Sequence, residues 1–171
     1  MSDARDRDGQ RRAHLTLIGG TGSAARERPP RIQDPIEPVV RARLAAVTDR
    51  CWQCRTKVRG VVGVLIDPAR TRDGSGFLPF DDVAELLAER VDPRALARRR
   101  IGELRHRDSP GVLGGYVSNG CIECDALIGR FLLDDLLHEH LQAGGTYAQL
   151  DIGVPVELPA VALARRISAH G

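Results

Sequence analysis

Cys51-Trp52-Gln53-Cys54 and Cys121-Ile122-Glu123-Cys124 hold every cysteine of the 171-residue chain. A C-x-x-C turn presents two sulfurs to one ion, and four thiolates complete the tetrahedral shell of Zn²⁺. The two pairs are therefore read as knuckles sharing one zinc, with Cys51, Cys54, Cys121 and Cys124 as its ligands. Sixty-six residues separate Cys54 from Cys121. A compact C-x-x-C module has roughly 15 to 20, so the shared site does not rest on spacing alone.

Working outward from the first pair, Val39 to Asp49 alternates small apolar and charged residues, and Val58 to Ile66 is rich in valine. This spells strand, knuckle, strand, the layout of a zinc-ribbon hairpin. Asp67 to Pro79 carries Pro68, Gly74, Ser75, Gly76 and Pro79 and reads as loop. A helix follows, capped by Asp81 or Asp82, with Glu85 in its first turn and Val83, Leu86 and Leu87 on its apolar face. Asp92-Pro93 opens a second short helix through Arg94 to Arg100, since proline fits a first helical turn.

Ile101 to His106 and Val112 to Ser118 read as strands joined by the turn Asp108-Ser109-Pro110-Gly111, the latter leading into the second pair. Beyond that pair, Leu127, Ile128, Phe131, Leu132, Leu136, Leu137 and Leu141 recur at helical spacing until Gly144-Gly145. This segment is expected to be the longest helix and a main part of the core. Tyr147 to Val156 reads as a closing strand and Val161 to Ile167 as a short helix. The fold class is α+β: zinc-ribbon-like antiparallel strands with two Cys knuckles, a helical insertion at 80–100 and a packed C-terminal helix. Residues 1–35 mix both charge signs with Gly, Ser and Pro and are expected to be a disordered tail ahead of a domain over 36–171. Leu15-Thr16-Leu17-Ile18 is the tail's one apolar segment.

The stretch Tyr116-Val117-Ser118-Asn119-Gly120-Cys121-Ile122-Glu123-Cys124-Asp125-Ala126-Leu127-Ile128-Gly129-Arg130-Phe131 resembles the C-terminal signature of a group of uncharacterised bacterial zinc-ribbon-like proteins. There a Tyr and an Asn precede a C-x-x-C followed by Ala-Leu, Gly and Phe. A Cys-Trp-x-Cys pair before a valine-rich strand, as in Cys51-Trp52-Gln53-Cys54 and Val58 to Ile66, resembles their N-terminal half. The resemblance implies a four-cysteine metal site and no particular reaction. Such knuckles favour Gly after the second cysteine, where the backbone often turns left-handed. Arg55 and Asp125 stand there instead, and Asp tolerates that conformation better than Arg.

A hydrophobic fraction of 42% and a charged fraction of 28% are ordinary for a globular protein. No apolar run approaches the roughly 18 residues of a membrane span. The charged start Met1-Ser2-Asp3-Ala4-Arg5-Asp6 lacks the apolar stretch of a secretion signal. A cytoplasmic protein is expected, and in that reducing compartment C-x-x-C pairs serve as metal ligands or redox thiols rather than disulfides.

The leading functional reading is an interaction module with structural zinc, binding a protein or a nucleic acid. Twenty-four of the 25 basic residues are arginine, a bias that GC-rich coding produces unaided. Their placement is uneven: Arg41 to Phe80 carries net +5 and Cys121 to Gly171 net −4. Arg41, Arg43, Arg50, Arg55, Lys57 and Arg59 surround the first knuckle as candidate phosphate contacts, and Arg98, Arg99, Arg100, Arg105 and Arg107 form a second cluster. Trp52 is read as a packing lid over the sulfurs, and Tyr116 and Asn119 as hydrogen-bonding supports of the second knuckle.

The alternative is an enzyme. Cys121 and Cys124 could serve as a redox dithiol, the N-terminus of the following helix lowering the Cys121 pKa. The cluster Asp134-Asp135-Leu136-Leu137-His138-Glu139-His140 could hold the metal of a hydrolase, although its leucines claim the buried side and leave the polar residues as a solvated face.

Overall fold

The computed structural model of the protein describes residues 37–71, 73–109 and 111–169, with side chains described through 165. The expected tail over 1–35, its segment Leu15 to Ile18, and Pro110 of the expected turn lie outside the described residues.

The elements run β1 (Val39–Arg50), β2 (Lys57–Leu65), β3 (Phe77–Pro79), α1 (Phe80–Arg90), α2 (Pro93–Arg98), β4 (Arg105–Ser109), β5 (Val112–Gly120), β6 (Leu127–Ile128), α3 (Arg130–Gln142), β7 (Asp151–Pro159) and α4 (Ala160–Ala169). The class is α+β. One antiparallel sheet has the order β3-β2-β1-β7, and a second, smaller one the order β4-β5-β6.

Strand β2 is buried on both faces, which is why it reads as a nearly continuous apolar run. Val61 and Val64 join the core cluster that holds α1 and the start of α4, whereas Val58, Val62 and Leu65 join the cluster that holds α3 and the cysteines. Val61 and Val64 are three apart yet share a face, because the pairing register shifts by one residue between Ala45 and Ala46.

Helix α1 is the principal core helix. Phe80, Val83, Ala84, Leu86 and Leu87 are buried, with Val83 and Leu87 fully so. Burying each of those two side chains contributes about 1.5–3 kcal/mol. Its N-cap is Pro79, without a side-chain bond, so Asp81 and Asp82 do not cap the helix as the sequence suggested. They lie in the first turn, where a carboxylate complements the helix dipole.

In α2, Asp92 accepts the Arg94 amide at 2.9 Å and Pro93 takes the first helical position. The helix stops at Arg98 rather than Arg100. Arg100 turns left-handed at φ 61°, and the Ile101 amide reaches back to the Leu96 carbonyl at 3.1 Å. That closure normally carries glycine where Arg100 stands. Ile101 forms only a bridge to Arg59, so the strand expected from Ile101 begins at Arg105 instead.

Helix α3 is the longest, at 13 residues, but it is not a main part of the core. Only Leu133 is buried, Phe131 is 71% exposed, and Leu127 and Ile128 belong to β6. The helix touches the sheet where Gly60 leaves room, since a Cβ on Gly60 would collide with the Leu133 side chain. Tyr147 to Leu150 forms a 3-10 turn rather than strand, closed by a reciprocal cap between Thr146 and Gln149, and β7 begins at Asp151. The Tyr147 ring stacks on Phe77 with centroids 4.4 Å apart. No helix among the described residues is long and apolar enough to cross a membrane.

Candidate metal centre

Each C-x-x-C pair sits in the turn of a hairpin, the first between β1 and β2 and the second between β5 and β6. Both turns use one backbone pattern. The Cys51 amide donates to the Thr56 carbonyl and the Arg55 amide to the Cys51 carbonyl, each at 2.9 Å. In the second, Cys121 donates to Ala126 and Asp125 to Cys121, again at 2.9 Å. The residue after each second cysteine is left-handed, Arg55 at φ 62° and Asp125 at φ 56°, as the knuckle geometry demands. Such a turn leaves amides free to point at sulfur, and the Glu123 amide donates to Cys121 Sγ at 3.4 Å.

The two knuckles face each other. Cys51 Sγ lies 3.6 Å from Cys124 Sγ, and Cys54 Sγ 3.6 Å from Cys121 Sγ. All four sulfurs lie within 4.8 Å of one another. The four cysteines are free, and a disulfide would require about 2.05 Å. A tetrahedron with Zn–S bonds of about 2.3 Å has edges of about 3.8 Å, so the sulfurs fit a tetrahedral ion with small adjustment. Cys51 and Cys121 are 2% exposed, whereas their partners lie nearer solvent.

The thiols of Cys54, Cys121 and Cys124 are shifted in different directions. The Thr56 backbone amide, assisted by its hydroxyl, lowers the Cys54 pKa to about 6. At Cys124 the Ala126 amide pulls downward, but desolvation and the thiols of Cys54, Cys51 and Cys121 outweigh it and push the value up to about 12. Desolvation likewise raises Cys121. Four adjacent sulfurs cannot all become anionic without a cation among them, and a divalent ion would supply that charge. Four sulfur ligands also leave no position for water on a tetrahedral ion, which is the arrangement of a structural site.

Asn119, expected to support the second knuckle, has another job. It is 1% exposed; its Oδ1 accepts the Val61 amide at 2.7 Å and its Nδ2 donates to the Val61 carbonyl at 3.0 Å. The side chain thus replaces a missing strand beside β2 and pins the two hairpins together. Trp52 is not a buried lid. The residue is 61% exposed, and its indole nitrogen donates to the Leu127 carbonyl at 3.0 Å, tying the first knuckle to β6. Tyr116 makes its contact with Arg130, whose guanidinium carbon lies 5.7 Å from the ring centroid.

Arg107, read from the sequence as part of a basic surface, supports the second knuckle from within. It is 8% exposed, donates to Asp125 and to the Glu103 carbonyl, and reaches the Ser118 carbonyl at 2.6 Å. A Cβ on Gly120 would collide with its guanidinium and displace the Arg107–Asp125 pair. Arg105 also pairs with Asp125, and Arg100 with Glu123 at 3.1 Å. Together Arg107 and Arg105 hold the Asp125 carboxyl below its ordinary range. A sequence signal existed, a glycine followed by Cys-x-x-Cys-Asp, but nothing in it says which arginine Asp125 will meet.

The other predicted cations divide. Arg41 pairs with Glu157 at 3.7 Å and Arg43 with Asp151 at 3.2 Å, both away from the cysteines along β1. Arg50, Arg55, Lys57 and Arg59 stay near the first knuckle, and α2 brings Arg98 and Arg99 beside Lys57 and Arg59.

Among the described residues, the four cysteines are the one cluster of three or more Cys, His or acidic residues that could hold a metal. In the Asp134 to His140 segment, His138 Nε2 meets the Gln142 amide nitrogen at 2.8 Å and His140 Nε2 meets the Thr146 carbonyl at 3.1 Å. These rings serve local bonds. Helix α3 begins at Arg130, beyond the knuckle and β6, so its N-terminus does not follow directly on Cys121 as the redox reading required. Comparisons of the chain with protein-family models, with curated proteins and with solved structures find no match.

Proposed function

We propose that the protein is a non-enzymatic interaction module in which a structural zinc ion locks two hairpins together, and in which the exposed surface binds a protein or nucleic-acid partner. One observation carries the reading: four cysteine sulfurs from two hairpins distant in sequence converge within 4.8 Å. Zinc is the ion that a set of four thiolates suits best. On this reading Tyr116, Asn119, Gly129 and Phe131 keep the place they hold in the bacterial zinc-ribbon-like signature, and the protein works in the reducing cytoplasm, where thiolates persist.

The raised pKa of Cys121 argues against its acting as the nucleophile of a dithiol enzyme, which needs a thiolate at neutral pH. The test is zinc content per chain in protein purified without added metal, with free thiols counted before and after chelation. One zinc per chain, with four thiols protected until chelation, is the expected result. No zinc and a readily formed Cys121–Cys124 disulfide would overturn the reading in favour of redox chemistry.

A further inference from the structure

Two arginine groups distant in sequence meet beside the first knuckle. A cleft of about 330 Å³ is lined by Thr48, Lys57, Val58, Arg59, Arg98, Arg99 and Arg100. Five of these seven residues are cations. Arg100 is paired with Glu123, but no ion pair engages Lys57, Arg59, Arg98 or Arg99 among the described residues. Like charges held this close repel one another, and a concave basic surface focuses its field on an incoming anion.

The arrangement is extended. Arg50 is the cross-strand partner of Lys57, and Thr48 that of Arg59, so these four share one face of the hairpin end. Arg98 and Arg99 join that face from the end of α2, and Arg99 and Arg59 also line an adjoining hollow of about 510 Å³ that continues to Gly153. Lys57 and Arg59 alone are about 6.6 Å apart along the strand, and the helix end widens the row further. A row of cations drawn from two elements suits several phosphates better than one.

We infer that this cleft binds the phosphodiester backbone of a nucleic-acid strand, gripping phosphate oxygens with Lys57, Arg59, Arg98 and Arg99 and reading no base. The arginine fork suits phosphate oxygens in pairs. No aromatic residue lines the cleft, so the stacking that ranks bases has no platform there. The inference rests on the interaction-module reading above and names its partner.

The experiment measures binding of a fluorescent mixed-sequence single-stranded oligonucleotide to the full chain by anisotropy, across a salt series. Zinc content and thiol protection are recorded on the same preparation. Loss of zinc with free thiols would count against the module reading, whereas zinc-loaded protein that fails to bind at low salt would overturn this inference alone. Affinity should fall log-linearly with salt. The double variant Arg98→Gln/Arg99→Gln should bind at least tenfold more weakly, with a salt slope shallower by about 1.4, two contacts at about 0.7 each.

Lys57→Gln/Arg59→Gln should act in the same direction, and Arg90→Gln, at the exposed end of α1, should bind like the unaltered protein. Oligonucleotides of different sequence should bind within about threefold of one another. Unchanged binding by the Arg98/Arg99 variant, or a strong sequence preference, would overturn the inference. So would inorganic pyrophosphate binding as tightly as the oligonucleotide, since the site would then take a small phosphate.

Discussion

The first knuckle joins a 12-residue strand to a nine-residue one inside the four-stranded sheet, whereas the second joins nine-residue β5 to β6, which is two residues long. Both nonetheless close the same backbone turn with the same left-handed residue. What differs is the support. The first is carried by the β1–β2 ladder, which stays paired as far as Arg50 and Lys57, and by valines buried on two faces. The second ends a smaller sheet, in which β5 pairs with β4 and with only two residues of β6, and draws also on Arg105 and Arg107 at Asp125, Arg100 at Glu123 and Asn119 at Val61. One covalent geometry can thus be held by ladder hydrogen bonds or by charged side chains, and the two kinds of support should fail differently.

Metal removal should expose that difference most strongly. Structural zinc in small modules contributes on the order of 10 kcal/mol, comparable to the whole stability of a domain. Chelation, or Cys121→Ser, should release the second hairpin, with amide exchange rising sharply over β5 and β6 and much less over β1 and β2. Uniform exchange across both hairpins would break the comparison. Because Cys121 and Cys124 hold protons more firmly than ordinary thiols, zinc binding must expel them, and zinc affinity should fall as pH is lowered.

Asn119→Ala comes next. It leaves the Val61 amide and carbonyl without their partner at a buried site, and each such loss costs about 1–3 kcal/mol. A fall of about 2–5 kcal/mol in urea unfolding of the zinc-loaded protein is expected. An effect below about 1 kcal/mol would mean that the pin between hairpins is idle.

Arg107→Met should destabilise by about 2–3 kcal/mol, since the buried guanidinium serves one carboxylate and three carbonyls. It should also speed zinc loss to a competing chelator. The corresponding change at the first knuckle, Arg50→Met, removes only an exposed 3.4 Å bond to the Arg55 carbonyl and should stay within about 0.5 kcal/mol. Equal effects would erase the contrast.

The local parts of this design were legible in the sequence. Two C-x-x-C pairs, the valine-rich strand, the apolar spacing of α1 and the left-handed places at Arg55 and Asp125 are all short-range signals. The supports were not, because each depends on elements that meet only in space. Arg107 has the same composition as its exposed neighbours until β4 folds it under Gly120. The leucine spacing of α3 is that of a buried helix, yet Gly60 admits one side chain and leaves Phe131 outside. Asn119 lies beside the cysteines in sequence, but its partner is Val61, 58 residues away.

The smallest predicted effect tests the contrast most sharply, because it concerns sign. A non-glycine residue held left-handed carries strain of about 1–2 kcal/mol, less for Asp than for Arg. Arg55→Gly should relieve it at an exposed site and raise stability by roughly 0.5–1 kcal/mol, net of the extra chain entropy of glycine. The same substitution at Asp125 relieves less and strips the carboxylate from Arg107, which is 8% exposed and has no other carboxylate among its contacts. Asp125→Gly should therefore lower stability, by about 1–2 kcal/mol. Thermal midpoints of the two zinc-loaded variants should move in opposite directions. Movement in the same direction would mean that the arginines around the second knuckle are ornaments of its surface, and that zinc and the turn alone hold both halves of the site.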